Sequence, residues 1–534
     1  MLRRSKVKPS LRTTFQSSNT NVTRITFIKS IFFYLLKKWQ VIRILLIAMI
    51  ACFLFSYTQS NIKRNNTQPN TKRNFVNIDH CSIPTKPKEY LSTLTTLNLN
   101  GCNLKEIPSS ITKYATNLKK LDIGDNPRLS TLPSSLCNLH KLEILFASNC
   151  PGIATLPPVL GKMTSITRLG WKSGSLTSLP HASIPPNVVH LILTNNFITD
   201  LDDEMIFTKL KHVRKLMLSH NSITSLSEKG VSLMHNLELL RLSGNNLHAV
   251  PDSLWTLPKL SWLTISGNPN LNLPALTSRV PMVDLSSLDF HSASGGSSSS
   301  SNSASSLGQG ASGLVVRATY NNKEVAVKRI RSVTSDGRPE DELKSYGALD
   351  ENAMKERMVG ALALFHDDVK DESGIIMKIL PEGVVDLAQP PTIVEVTADR
   401  WDEDEKFSMS FIVSVLKDIA HALYYLHYNV GIVHGDVYAH NIKVDKRTGR
   451  AYLLDLGASY APDETFRKKA EMLEVRAFGV LIGDMLGQYD EDDNSKKDVQ
   501  NKKETLSLLR DKCYSKDVFS RPLFEEIVST LSTI

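Results

Sequence analysis

The strongest constraint on the fold of this chain is a motif of the form L-x-x-L-x-L-x-x-N/C that recurs between residues 91 and 274. Each copy supplies alternating apolar residues for one short strand, which are too few to form a core of their own. Neighbouring copies must therefore stack, and the sequence predicts a solenoid with a continuous apolar interior. Eight copies follow one another at intervals of 22 to 25 residues, beginning at Leu94, Leu118, Leu142, Ile166, Val188, Val213, Leu237 and Leu260.

The copy that begins at Leu118 shows how the motif should fold. Leu118, Leu121 and Ile123 point inward from the strand, and Asn126 then turns inward to hydrogen-bond the neighbouring backbone. This spacing and pattern are typical of leucine-rich repeats. The position of Asn126 is also filled by Asn or Cys in six other copies, namely Cys102, Cys150, Asn196, Asn221, Asn245 and Asn268. We therefore expect Cys102 and Cys150 to be structural, whereas Cys81 is either paired in an N-terminal cap or a free thiol.

The outward-facing strand positions should line the concave side of the solenoid. Proteins of this architecture commonly use that side to bind other proteins. The residues there are charged, polar and aromatic: Lys119, Lys120, Asp122, Arg214, Lys215, Glu238, Arg241, Trp262 and Thr264. We expect a protein ligand on this face, with a merely solvated surface as the alternative.

The N-terminal segment differs in composition from the rest of the chain. The net charge is +9, but the first 78 residues contain no Asp or Glu, so the basic excess is local and does not indicate nucleic-acid binding. Trp39 to Tyr57 carries one charge, Arg43, and a membrane-spanning helix needs roughly 20 apolar residues. The sequence predicts one retained span over 39–58, while a cleaved signal peptide and an organelle transit peptide remain open.

The orientation of this span is not assigned by charge counting. Ten Lys/Arg residues precede residue 44 and favour a cytosolic N-terminus, but basic residues also follow the span closely at positions 63, 64, 72 and 73. The membrane side therefore stays unassigned.

A compositional break separates the repeats from the C-terminal part. Residues 292–306 are only Ser, Gly, Ala and Asn, which cannot bury enough apolar surface to offset the entropy of ordering, so we expect a flexible linker. A G-x-G-x-x-G motif follows, and then Val325-Ala326-Val327-Lys328. Glycines allow backbone N–H groups to approach phosphates, and a lysine at this distance can contact the α- and β-phosphates.

Two further motifs carry the strongest catalytic signal. His434-Gly435-Asp436 leads to Asn441 in an H-x-D-x-x-x-x-N pattern, and Asp455-Leu456-Gly457 follows as D-x-G. Residues 474–479 resemble D-x-W-S-x-G, and residues 513–522 resemble a closing C-x(n)-R-P element. In this order, the motifs over about 307–534 resemble eukaryotic-type protein kinases, as in leucine-rich-repeat receptor-like kinases.

The resemblance implies a role for each matching residue. Asp436 is the catalytic carboxylate facing the acceptor hydroxyl, and Asn441 and Asp455 are the ligands of Mg²⁺. Lys328 is expected to pair with Glu356, with Glu351 as the second choice. The cofactors implied are ATP and Mg²⁺, and the ATP-binding residues are Gly308, Gly310, Gly313, Val315, Ala326, Lys328, Met377, Ile379 and Leu380.

Three departures from the family pattern place the substrate in doubt. Gly435 replaces the arginine of H-R-D, which normally holds a phosphorylated activation loop. Tyr438 stands where Ser/Thr kinases carry a lysine that faces the γ-phosphate. Nineteen positions separate Asp455 from Glu474, which is short for an activation segment with a substrate-docking loop.

The predicted fold is multi-domain, with a leucine-rich-repeat solenoid (α/β), a bilobal kinase-like α+β domain and one N-terminal transmembrane helix. The predicted segments are a basic segment 1–38, the helix 39–58, a linker or cap 59–90, repeats 91–274, a Ser-rich linker 275–306 and the kinase-like domain 307–534. We expect a single-pass membrane protein that phosphorylates protein Ser/Thr hydroxyls. A pseudokinase scaffold and a small-molecule phosphotransferase remain alternatives.

Overall fold

The computed structural model describes residues 80–534, apart from residue 202 and the segments 291–305, 310–312, 331–333, 335, 368–371 and 491–496. The predicted membrane helix over 39–58 lies outside the described residues, and so does Gly310. Within the described part of the chain, one helical stretch, Met409–Val430, is long and apolar enough to cross a membrane. More than half of it is buried in the C-terminal domain, and this burial accounts for its apolar composition.

The eight predicted repeats form eight parallel strands in sequence order, and this confirms the solenoid. Each strand starts two residues after the start of its motif, and its middle residue points inward. Leu118, Leu121 and Ile123 are fully buried, as the motif predicts. The strands are β1 Thr96–Asn98, β2 Lys120–Asp122, β3 Ile144–Phe146, β4 Arg168–Gly170, β5 His190–Ile192, β6 Lys215–Met217, β7 Leu239–Arg241 and β8 Trp262–Thr264.

The motif asparagines tie each repeat to its neighbours. Asn221 Nδ2 donates to the Leu193 carbonyl of the preceding repeat (3.0 Å) and to the Leu218 carbonyl of its own repeat (2.9 Å). Its side-chain oxygen accepts a hydrogen bond from the Ile198 N–H (3.1 Å). Asparagine is suited to this position because its amide offers both donors and an acceptor to backbone groups that would otherwise be buried without partners.

Short helices close the convex side of the repeats, and a cap covers the first one. Cys81 in the cap forms a disulfide with Cys102 of the first repeat, which answers the open question about Cys81. The α-helices are α1 Lys88–Thr93, α2 Ser109–Tyr114, α3 Glu204–Leu210 and α4 Glu228–Ser232, and 3₁₀ turns include Ser134–Asn138, Pro158–Lys162 and Asp252–Thr256.

The small lobe of the C-terminal domain is a seven-stranded sheet with one helix. Two of its edge strands, β9 and β10, come from the segment that the sequence predicted as linker: β9 pairs with β14, and β10 pairs with β12. The elements are β9 Met282–Val283, β10 Asp289–Phe290, β11 Ser306–Gln309, β12 Gly313–Tyr320, β13 Lys323–Ile330, α5 Pro339–Gly347, β14 Ala361–Asp367 and β15 Glu372–Lys378.

The large lobe is mainly helical and carries a small three-stranded sheet. Its first long helix begins at an N-cap, Ser408, whose hydroxyl accepts from the Phe411 N–H, and such caps satisfy otherwise unpaired donors. The elements are β16 Val384–Asp386, α6 Met409–Tyr425, β17 Ile442–Asp445, β18 Arg450–Leu453, α7 Arg467–Gly487, α8 Lys497–Cys513 and α9 Phe524–Ser532.

The concave face of strands β4 to β8 packs against the C-terminal domain. Arg168 donates to the carbonyls of Ile393 and Val394 (2.7 and 2.9 Å), and Lys215 donates to that of Val396 (3.3 Å). The C-terminal domain therefore covers the part of the concave face on which an external ligand was expected. The concave face of β1 to β3, with Lys119, Lys120 and Asp122, makes none of the described contacts with the C-terminal domain.

The contact between the two domains is apolar as well as polar. Val433, Tyr460 and Met472 of the C-terminal domain belong to the same buried cluster as the repeat leucines. In the opposite direction, Leu239 and Trp262 of the repeats belong to the core of the C-terminal domain. The described residues therefore form one unit whose core crosses the domain boundary.

Candidate active site

Lys328 lies on β13 at the centre of a buried charge cluster. Its Nζ donates to Glu342 (2.6 Å) and to Asp455 (3.3 Å). Glu356, the partner expected from the sequence, instead pairs with His421 (3.2 Å), so that prediction is wrong. The second choice, Glu351, pairs with Lys378 (2.7 Å) and is wrong as well.

The reason lies in where the helix after β13 forms. Residues 351–356 form a 3₁₀ helix, whereas α5 begins earlier, with Pro339 in its first turn. Three acidic residues follow Pro339, and the third, Glu342, points to Lys328. Proline and acidic residues in a first turn are ordinary helix-start signals, so the sequence did contain evidence for α5.

Burial and pairing act in opposite directions on this cluster. Burial raises the pKa of Glu342 to about 7, against the opposing effect of Lys328. Burial alone would lower the pKa of Lys328, but the carboxylates of Asp455 and Glu342 raise it well above its ordinary value. Lys328 thus stays a cation, which phosphate binding requires.

The residues predicted to bind adenine and the phosphates surround Lys328 in the sheet. Ala326 pairs with Met377 across β13 and β15, and both are buried. Val315 on β12 pairs with Lys328. Gly308 lies exposed on β11, Gly313 begins β12, and Ile379 and Leu380 follow β15 half-buried. The strand register places Val315, Ala326, Lys328 and Met377 on one face of the sheet, and the contact of all these positions with a nucleotide stays a prediction.

Helix α7 supports the catalytic-loop motif through hydrogen bonds to Glu474. Glu474 accepts hydrogen bonds from the N–H groups of His434 (3.2 Å) and Gly435 (2.7 Å) and from His427 Nε2 (2.7 Å). Although burial opposes it, His427 keeps the pKa of Glu474 below its ordinary value. His434 in turn contacts the Leu454 carbonyl through Nε2 (2.8 Å), which links the loop to the D-x-G strand end.

Both carboxylate oxygens of Asp436 have side-chain partners. Arg241, from repeat strand β7, forms a short ion pair with its Oδ1 and also donates to the Gly435 carbonyl (3.1 Å). Asn441 Nδ2 donates to Asp436 Oδ2 (3.0 Å) and to its carbonyl (2.9 Å). Burial alone would raise the pKa of Asp436, but Arg241 and, more weakly, His440 keep it below its ordinary value.

Asn441 and Asp455 fit the ligand set predicted for Mg²⁺. Both supply oxygen donors, which suit this ion, and the Asp455 side chain is 39% exposed beside the buried Lys328. Asn441 uses its NH₂ group for Asp436, and these bonds do not occupy its amide oxygen. Asp455 also has a positive φ of 64°, a backbone conformation that concentrates at functional sites.

Trp262 of β8 packs on the two catalytic-loop residues that follow Asp436. Its ring stacks on Tyr438 at a centroid distance of 4.2 Å, and its Nε1 donates to the Val437 carbonyl (2.9 Å). A methyl group on Gly435 would lie 2.6 Å from the Ala458 carbonyl oxygen and 2.8 Å from that of Leu263. A glycine is required where the backbone of a repeat strand comes this close.

The short segment after Asp455 also rests on the repeats. Phe466 stacks on Trp255 of the last convex turn (5.0 Å), and Lys469 pairs with Asp252 (2.9 Å). Arg521, from the closing R-P element, donates to the carbonyls of Met472 and Pro258 (both 2.9 Å). The repeats therefore contact the segment between the D-x-G motif and helix α7, the start of α7 and the closing R-P element.

Sequence reasoning identified Arg241 and Trp262 as concave residues but missed their place at the catalytic loop. Arg241 and Asp436 are 195 positions apart, and no local pattern couples residues at that separation. The one sequence signal was indirect: Gly435 and Tyr438 both depart from the family pattern at the points that the repeats contact.

Comparison with known proteins agrees with this architecture. The family model "Leucine rich repeat" matches residues 92–151 and 186–247, and the model "Protein kinase domain" matches residues 301–474. The second match includes the lysine strand, the catalytic loop and the D-x-G motif.

Similar curated proteins cover only part of this chain. TMV resistance protein N of Nicotiana glutinosa is 27% identical over 32% of this chain and 15% of its own length. Adenylate cyclase of Schizosaccharomyces pombe is 30% identical over 36% of this chain and 12% of its own, and osteomodulin of Rattus norvegicus is 28% identical over 34% and 45%. The chain thus spans less than half the length of each of these relatives. Together, the two family matches and the geometry show that this chain joins leucine-rich repeats to a protein kinase domain.

Proposed function

We propose that this protein is an ATP-dependent kinase that transfers the γ-phosphoryl group of Mg-ATP to Ser/Thr hydroxyls of proteins. The observation that carries the proposal is the Lys328 cluster. Lys328 is paired with Glu342 on α5 and with Asp455 of the D-x-G motif, while Asp436 and Asn441 are hydrogen-bonded to each other. A domain that had lost nucleotide chemistry would have no need to keep a buried lysine between two carboxylates, because buried charges are costly to maintain.

Each residue has a role in this proposal. Lys328 binds the α- and β-phosphates and orients them, and Asp436 orients the acceptor hydroxyl and takes its proton. Asn441 and Asp455 hold Mg²⁺, which neutralises charge on the phosphates when bound. The acceptor residue, serine or threonine, is inferred from the family resemblance.

Two other functions are each favoured by one observation. A pseudokinase scaffold is favoured by the contacts of Arg241 and Asn441 with the two carboxylate oxygens of Asp436. A small-molecule phosphotransferase is favoured by the repeats that cover the acceptor side around Val437 and Tyr438. We rank both below the protein kinase because the protein-kinase model matches across all of the catalytic motifs.

We also propose a membrane anchor over 39–58 and a protein ligand for the repeats. The concave face of β1 to β3 is the part of the predicted binding surface left for such a ligand. The Cys81–Cys102 disulfide favours an oxidising compartment for the cap. Charge counting does not assign the membrane side, because basic residues flank the span at both ends.

The test uses the full chain, because the repeats and the kinase domain share a core. Saturating Mg-ATP should raise its melting temperature, since a ligand of the native state stabilises it. Asp436→Asn should keep this shift and lower transfer to a protein acceptor by about 10²–10⁴-fold. Lys328→Met should reduce both the ATP-induced rise in melting temperature and the rate of transfer. A wild-type protein that binds ATP but transfers phosphate to no acceptor would establish the scaffold function instead, and transfer only to small molecules would establish the third.

A further inference from the structure

Phosphoryl transfer needs positive charge near the acceptor as well as at the nucleotide. Lys328 contacts Glu342 and Asp455, on the nucleotide side. The catalytic loop itself has uncharged Tyr438 at the position of the family's lysine, and His440 is held by Asp399 (2.6 Å). Within the described part of the chain, the lysine or arginine that hydrogen-bonds Asp436 is Arg241, from the repeats.

The position of Arg241 is fixed by several contacts. Its side chain is 3% exposed, and its Nε lies 3.0 Å from Asp336 Oδ1, in the loop between β13 and α5. The carbonyl of Asp336 accepts hydrogen bonds from Ser243 (2.7 Å) and Thr264 (3.2 Å) on the same repeat face. Burial alone would lower the pKa of Arg241, but Asp436 and Asp336 raise it, so the guanidinium stays charged.

The interface between the repeats and the kinase domain around Arg241 also resists opening. An inhibitory segment must leave the site for the enzyme to work, and it therefore needs an interface that can open. Here Val433, Tyr460 and Met472 are buried in the repeat core, and Trp262 is buried in the core of the kinase domain. Opening the interface would expose this shared apolar surface to water, which is unfavourable. Separating Arg241 from Asp436 would therefore require this apolar interface to open.

We propose that Arg241 is a positioning residue of the phosphotransfer site, supplied by the seventh repeat, which fixes the Asp436 carboxylate and provides the positive charge that position 438 lacks. This inference rests on the proposed kinase function. In the transfer step, the bond from the acceptor oxygen to the γ-phosphorus forms while the bond from that phosphorus to the bridging oxygen breaks. ADP leaves with the electron pair, and the acceptor proton passes to Asp436.

The geometry gives Arg241 two means of assisting this step. Bonds from one guanidinium to Asp436 Oδ1 and to the Gly435 carbonyl fix both the carboxylate and the loop, and such a planar two-point contact is specific to arginine. Its charge also lies directly beside Asp436, the carboxylate assigned to the acceptor hydroxyl. The repeats are therefore a constituent of the active site in addition to any ligand-binding role.

The experiment compares Arg241→Met, Arg241→Lys and wild type in the full chain. We expect Arg241→Met to lower kcat at saturating Mg-ATP by about 10²-fold or more, the effect typical of losing one charge-stabilising group. KM for ATP and the ATP-induced melting shift should be unchanged. Arg241→Lys should recover part of the rate because it keeps the charge. Lys469→Met, which breaks another pair between the repeats and the kinase domain, should retain the wild-type rate.

Two readouts separate positioning from a general loss of structure: the split between kcat and KM, and the partial recovery of rate in Arg241→Lys. A purely structural defect would lower ATP affinity and kcat together.

The possible outcomes separate a failure of the Arg241 proposal from a failure of the proposed kinase function. A rate in Arg241→Met equal to or above wild type would overturn the inference and identify Arg241 as a restraint on Asp436. A loss of the ATP-induced melting shift in both Arg241 variants would overturn it in favour of a purely structural role. An inactive wild type that still binds ATP would instead refute the proposed function. If Arg241→Met does not fold, Arg241→Gln replaces it, because glutamine keeps a donor and removes the charge, and the same fall in kcat is expected.

Discussion

The reassignment of the Lys328 partner can be tested by comparing two carboxylates. Glu342 is 3% exposed and lies 2.6 Å from Lys328 Nζ, which is 9% exposed. Removing one member of a buried ion pair typically costs about 3–5 kcal/mol, because the other charge stays buried without its partner. Since Asp455 remains 3.3 Å from Lys328, we expect Glu342→Ala to lower the free energy of unfolding by about 3 kcal/mol, the low end of that range.

Two further variants calibrate this value. Glu342→Gln keeps a hydrogen-bond acceptor for Lys328 and should cost about 1–2 kcal/mol. Glu356→Ala removes a half-exposed pair with His421 and should cost less than about 1 kcal/mol, as surface pairs do. The same ranking is expected for affinity toward Mg-ATP, because Glu342 orients the lysine that contacts the phosphates.

The assay is urea unfolding of the full chain followed by tryptophan fluorescence, with Mg-ATP affinity measured by thermal shift. The reasoning would be refuted if Glu356→Ala lost as much stability and ATP affinity as Glu342→Ala. It would also be refuted if Glu342→Ala left both quantities at the wild-type level.

Two further predictions concern the catalytic loop and the large lobe. Gly435→Ala should lower the free energy of unfolding in urea by about 2–5 kcal/mol, because its φ is +75° and the carbonyls of Ala458 and Leu263 lie close to it. The control Gly431→Ala has a φ of +84° but open surroundings, and it should cost only about 1–2 kcal/mol. Equal costs for the two variants would contradict the role of the repeat backbone. Burial and then Asp399 raise the pKa of Asp484 to about 7, so the folded state binds a proton that the unfolded state releases between about pH 4 and 7, and stability falls as pH rises through this window. Asp484→Asn should therefore raise the melting temperature at pH 8 and have little effect at pH 4, and a stabilisation that is the same at both values would contradict it.

Much of the repeat region could be predicted because its information is local. A leucine at every second strand position and an asparagine at a fixed offset determine which side chains turn inward, whatever the rest of the chain does. The eight strands therefore lie where the motif places them, and Asn221 bonds the neighbouring backbone as expected. The order of the kinase motifs was equally readable, since each lies within a few residues of sequence.

The linker prediction shows where composition was insufficient. Residues 292–306 are compositionally a linker, but the residues just before them form β9 and β10, which are only two residues long. Strands this short carry no periodic signal, and they are strands because the edges of the kinase sheet offer them hydrogen-bond partners. Tertiary contact, and not local preference, determines their conformation.

By itself, the sequence determined the two folds, their order and the identity of the chemical groups: Lys328, Asp436, Asn441 and Asp455. The tertiary structure alone decided which groups meet. Glu342 replaced Glu356 because α5 begins at Pro339 and ends before residue 351, and the concave face met the catalytic loop because the cores of the two domains merge. Pairing between side chains nearly 200 positions apart depends on how whole domains pack, and a sequence pattern of one strand or one loop does not contain that information.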